Sequence, residues 1–121
     1  MNKIFVHCNL PEIEVESLEK YFELKIHSSK NIILNEKIFF KKAKGYNGII
    51  SQGNIVNKRF IDNNKKCLRV ISNVGVGYDN IDIEAASKNG IAVFNTPNLM
   101  KHAVADLTLG LLVAVTRKIC L

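Results

Sequence analysis

Short apolar runs alternate with amphipathic segments along the whole chain. "KIFVHC" (3–8) is a β-rich run that stops at "NLPE", where Pro11 can open a helix. Ile13, Leu18 and Phe22 then recur at near-helical spacing among acids, which predicts an amphipathic helix. "ELKIHS" (23–28) alternates and predicts a second strand. "NEKIFFKKAKG" (35–45) predicts a helix closed by Gly45. "YNGIIS" (46–51) is a third strand opening into the loop "QGN", "NKRFIDNN" (57–64) a short helix, and "CLRVIS" (67–72) a fourth strand. Asp82 can cap a helix over "IEAASK", with Asn89-Gly90 as its stop. "IAVFN" (91–95) is a fifth strand before a long closing helix, "KHAVADLTLGLLVAVTRKIC". This alternation predicts an α/β domain with a mostly parallel sheet and helices on both faces.

The closing helix breaks the amphipathic pattern. Val104, Leu107, Leu109, Leu111, Leu112, Val113 and Val115 are not confined to one stripe. A helix apolar all round must be covered on most sides. One small domain cannot do that for a helix at its edge, so a second domain or a partner subunit is expected on residues 103–116. The chain reads as an interrupted protein, with 1–99 as its domain and 100–121 as the truncated helix.

Composition narrows the picture. A chain of 121 residues forms one domain, and 47% hydrophobic content supplies a core. The net charge of +6 is spread over scattered lysines without an RNA-binding aromatic motif or zinc-finger spacing, so nucleic acid is not an expected partner. Cys8, Cys67 and Cys120 form no C-x-x-C pair and are expected to be unreactive; no metal site or disulfide framework is indicated. No run approaches the ~18 apolar residues of a membrane span. A reducing, cytoplasmic compartment is the default.

The candidate chemistry lies in "NVGVGYDNID" (73–82). A dinucleotide loop would need a third glycine where Asn80 stands, and Asp79 and Asp82 would repel a pyrophosphate. What remains is a Gly-x-Gly turn at the carboxyl end of a parallel strand. Such a turn can aim backbone N–H groups at a small anion, with Gly75 and Gly77 free to take positive φ and to admit a ligand closely. The alternative is a tight turn with no ligand.

A wider run, "LRVISNVGVGYDNIDIEAASKNGIAVFNTPN" followed by "AVADLTLGLLVAVTRK", resembles the NAD(P)-dependent D-isomer-specific 2-hydroxyacid dehydrogenases. The motifs that carry the resemblance are G-V-G-Y-D-N-I-D, N-G-I-A-V-x-N-T-P and A-V-A-D-x-T, then an apolar helix ending in basic residues. The resemblance implies a flavodoxin-like substrate domain with a Rossmann cofactor domain inserted in it, the latter absent from this chain. It also implies that the amides of Val76 and Gly77 hold a 2-oxoacid or 2-hydroxyacid carboxylate. Gln52 and Gly53 would form another cleft wall, and Val76 and Val104 would lie near the nicotinamide. The family's catalytic arginine, acid and histidine match no residue here, so no catalytic residue is expected in the chain and it should be inactive alone. NAD or NADP belongs to the complete enzyme, a homodimer in this family, and should not bind tightly to this chain. The rival reading is a carboxylate-binding or interaction module, or half of a split enzyme.

Single residues invite less. His102 is expected to be a solvated bystander, His7 and His27 to be strand-end residues without a chemical role, and Asp106 to support the first turn of the last helix. Asp79 and Asp82 are expected to cap and fix the glycine loop, and Tyr78 to pack, with lining the cleft as the alternative. Arg117 belongs to the basic pair ending the last helix. Lys101 stands where the family often has threonine.

Overall fold

A computed structural model describes residues 1–27, 31 and 33–119 of the chain. Strands and helices alternate strictly: β1 (Lys3–His7), α1 (Glu12–Glu19), β2 (Glu23–Ile26), α2 (Glu36–Lys42), β3 (Gly48–Ser51), α3 (Lys58–Asn64), β4 (Val70–Asn73), α4 (Ile83–Lys88), β5 (Ala92–Phe94) and α5 (Lys101–Thr116). All four ladders are parallel and the strand order is β2-β1-β3-β4-β5, the flavodoxin-like order. The expected extension of β2 to Ser28 and of the last helix to Cys120 lies outside the described residues.

The helices start where the sequence supplies an acceptor. Asn35 Oδ1 accepts from Lys37 N, Asn57 Oδ1 from Phe60 N, and Asp82 Oδ1 from Ala85 N. Each satisfies one of the N–H groups that a helix start leaves without a partner. Gly45 and Gly90, at φ 84° and 66°, turn the chain out of α2 and α4 as the stop signals predict.

Strand register divides the sheet into two faces. Phe5, Ile49 and Ile71 lie side by side on one of them. There they join Phe39 and Ala43 of α2, Phe60 and Ile61 of α3, and Ala85 and Ala86 of α4 in the main core. Right-handed crossovers put α1 on the opposite face, because the chain runs from β1 to β2 in one direction and from β3 to β5 in the other. Val15 of α1 lines a cavity with Ile26 there, and Ile4 and Val6 are buried. Gly48 is needed on this face, since a Cβ would stand 2.6 Å from Ile4 Cδ1 and 2.9 Å from Val70 Cγ1. Toward β5 the same face is bare: Ala92 and Phe94 are exposed.

The last helix is left uncovered by the rest of the chain. None of its described residues is buried, and Val104, Leu107, Leu109, Leu111, Leu112, Val113 and Val115 are all more than half exposed.

Candidate functional site

Strand order reverses between β1 and β3, which opens a crevice at their carboxyl ends, where α/β sheets bind ligands. The row of residues closing that edge is polar and buried. His7 pairs in register with Ser51 and Ser51 with Asn73, and each is at most 2% exposed. The loop holding Gln52 and Gly53 leaves β3 here, and the loop holding Val76 and Gly77 leaves the adjacent β4. Val74 N donates to Ser51 O (2.8 Å), which carries the β3–β4 pairing into the loops.

Every carbonyl of the Gly75-Val76-Gly77 loop is engaged. Gly75 O accepts from Thr96 N (2.9 Å), Val76 O from Asn95 Nδ2 (2.8 Å) and Gly77 O from Asn73 Nδ2 (2.7 Å). In a trans peptide the N–H points opposite to the carbonyl of the preceding residue. The Val76 and Gly77 amides are therefore turned away from Thr96 and Asn95, and neither donates to another group among the described residues. Neither glycine takes the positive φ anticipated for a nest; the side chains and Thr96 N–H hold the loop instead. A Cβ on Gly77 would meet nothing within 4 Å, so the space beside its Cα is open.

A chain of asparagines runs beneath both loops. Asn80 Nδ2 donates to Asn54 O (2.8 Å) and to Asn73 Oδ1 (3.4 Å), and Asn73 then reaches Gly77 O. Asn54 is fully buried, its Oδ1 accepting from Leu34 N (2.9 Å) and its Nδ2 donating to Gln52 O (3.2 Å). That orientation turns its NH₂ toward His7 Nδ1 at 2.9 Å, so Nδ1 accepts and the imidazole is neutral with its proton on Nε2. Burial, then the charges of His27 and Lys42, hold the His7 pKa below its ordinary 6.5.

Opposite Val76, a cavity of about 470 Å³ opens between the loop and the start of α5, lined by Val76, Asn98, Met100, Lys101 and Val104. Val76 and Val104 thus share one cavity across 28 positions of sequence. Its largely aliphatic walls suit the face of a flat, weakly polar ring.

The family model for the D-isomer specific 2-hydroxyacid dehydrogenase catalytic domain matches residues 4–120. The chain belongs to that family. A glyoxylate reductase of Pyrococcus horikoshii is 38% identical over 118 residues, which are 97% of this chain and 35% of the relative. Among solved structures, the TT0316 protein of Thermus thermophilus superimposes with a TM-score of 0.83 at 34% identity, over 97% of this chain and 37% of that one. The NAD+-bound 3-phosphoglycerate dehydrogenase of Entamoeba histolytica does so with a TM-score of 0.70 at 26% identity, over 93% and 38%. The chain spans about a third of the length of these relatives.

Within this dehydrogenase domain several expectations need correction. His7 is no bystander, being buried and wired to Asn54. Asp82 caps α4, but Asp79 is exposed and makes no hydrogen bond or ion pair among the described residues; Asn80 fixes the loop in its place. Tyr78 is half exposed and lines a shallow cavity with Ile83 and Phe94 instead of packing inside. Asp106 falls in the second turn of α5, which begins at Lys101, not in its first; His102 is exposed, as a bystander would be. Burial pushes the Cys8 thiol up, consistent with low reactivity. No group of His, Cys, Asp and Glu that could hold a metal occurs among the described residues. Asn54, Asn73, Asn80 and Asn95 went unrecognised, although amides at strand ends beside glycines are the groups that can pin loop carbonyls.

Proposed function

We propose that the crevice holds the carboxylate of a 2-oxoacid or D-2-hydroxyacid, as the substrate half of an NAD(P)-dependent dehydrogenase. One observation carries this reading: three successive carbonyls are tied back, leaving the Val76 and Gly77 N–H groups outward at the carboxyl edge of the sheet. Two such donors suit the two oxygens of a carboxylate, and hydrogen bonds to a charged partner are the stronger kind. Gln52 and Gly53 form the facing wall, on the loop that leaves the neighbouring strand.

The cavity shared by Val76 and Val104 would receive the nicotinamide. That group, when bound, supplies or accepts the hydride; the residues here would shape its seat and exclude water from it. On this reading 1–99 is part of a cytoplasmic substrate domain and 100–121 a crossover helix. The bare apolar surface over 103–116 is the seat of a cofactor domain or a partner subunit, and no residue of this chain acts as the acid/base. The chain alone should then reduce no 2-oxoacid.

The test is a glyoxylate titration of the ¹⁵N-labelled 121-residue chain by NMR. The amides of Val76 and Gly77 should move most, with a Kd on the order of 1 mM for two charge-assisted hydrogen bonds. Shifts scattered over surface lysines with none in the loop would reject the reading. They would leave the alternative of an interaction module working through α5, which the exposure of that helix favours.

A further inference from the structure

Asn80 and Asn73 contact both loops of the crevice without facing into it. The Asn80 side chain joins the carbonyl of Asn54, at the end of the Gln52-Gly53 loop, to the side chain of Asn73. Asn73, 2% exposed, passes the link to Gly77 O at 2.7 Å. Asn80 O also accepts from Val56 N (2.8 Å), and Asp82 N donates to Val56 O (3.0 Å), so the backbone staples the two segments beside the side-chain link. Gln52 O is held from the other end by Asn54 Nδ2.

We propose that Asn73 and Asn80 are positioning residues that set the gap between the two loops and the aim of the Val76 and Gly77 amides. Affinity for a carboxylate then depends on two side chains that do not touch it. This rests on the carboxylate reading above. The chemistry requires asparagine: Asn73 must donate to Gly77 O while accepting from Asn80, and Asn80 must supply two N–H bonds from one nitrogen. Aspartate in either place would set an acceptor against an acceptor.

The experiment compares Asn80→Ala, Asn73→Ser and, as a control, Asn89→Ala in the full chain. Asn89 Nδ2 donates to Ala85 O at 2.9 Å at the end of α4, a structural bond outside the crevice. First, ¹⁵N relaxation without ligand should show residues 52–53 and 75–77 loosening together in Asn80→Ala, while Asn73→Ser loosens 75–77 most and the control loosens neither. Second, glyoxylate affinity should fall about tenfold in both crevice variants, the scale of one hydrogen bond, and stay unchanged in the control. Loops that keep wild-type order, or that loosen equally in the control, overturn the proposal. If Asn80→Ala fails to fold, Asn73→Ser carries both readouts. Loops that loosen as expected in a chain whose amides never respond to glyoxylate would support the positioning role and reject the carboxylate reading alone.

Discussion

α4 and α5 each follow a strand and a short loop, yet they end in opposite surroundings. α4 is six residues long and modestly apolar, but Ala85 and Ala86 are sealed against α3 and the sheet. α5 has sixteen residues and is far richer in leucine and valine, and none of its described side chains is buried. Hydrophobicity alone therefore does not decide burial; a facing surface does. α4 presents one small stripe that the body can cover, whereas α5 presents apolar side chains in every direction, which no single neighbour could cover. The bare Phe94 and Ala92 at the β5 end of the sheet repeat the same condition on a smaller scale.

The contrast can be broken at three points. Phe60 packs against Phe39 and Phe40 and is 1% exposed, so Phe60→Ala should cost about 3–5 kcal/mol in denaturant unfolding, the range for emptying an aromatic core site. A loss below about 1 kcal/mol would mean the body is no better packed than α5. The buried edge of the crevice should respond to acid. The folded pKa of His7 lies below 6.5, so the unfolded chain takes up the proton first as pH falls. The stability that neutral His7 supports is fully present above about pH 6.5 and is lost as pH drops toward the lowered value, at no more than about 1.4 kcal/mol per pH unit. Melting curves between pH 7.5 and 5.5 should show this slope, and His7→Gln should flatten it; an unchanged slope would place the titrating group elsewhere. The smallest effect belongs to α5. Leu109→Gln with Leu112→Gln exchanges exposed leucines for a residue of similar helix propensity, so stability should stay within about 0.5 kcal/mol while self-association falls in sedimentation runs. A large loss of stability would mean α5 is already packed within the chain.

The element order was legible because each signal was local. Asn35, Asn57 and Asp82 sit where helices begin, Gly45 and Gly90 where they end, and short apolar runs such as Ile49-Ile50 mark parallel strands. The uncovered state of α5 was equally plain from its lack of a polar face. The crevice was legible only as a location. "NVGVG" announces a loop at a strand end, but what holds that loop comes from Asn73, Asn95 and Thr96, and what ties it to its neighbour is Asn80 reaching back 26 positions to Asn54. Such contacts depend on strand register, which one sequence does not display. His7 was misjudged for the same reason: only the pairing of β1 with β3 puts it beside Ser51, in reach of Asn54. The two glycines drew attention to this loop through backbone freedom they do not use.

On the proposed reading, the pinned carbonyls leave the glycine loop two backbone N–H groups as its donors to an anion, and neither of them titrates. Each of these oxygens already accepts one hydrogen bond and the two N–H groups face outward, so on the proposed reading the loop should favour anions over cations. Selectivity of that kind has no titration midpoint. If the loop holds a carboxylate as proposed, the contribution of these two N–H groups to that hold should stay level with pH.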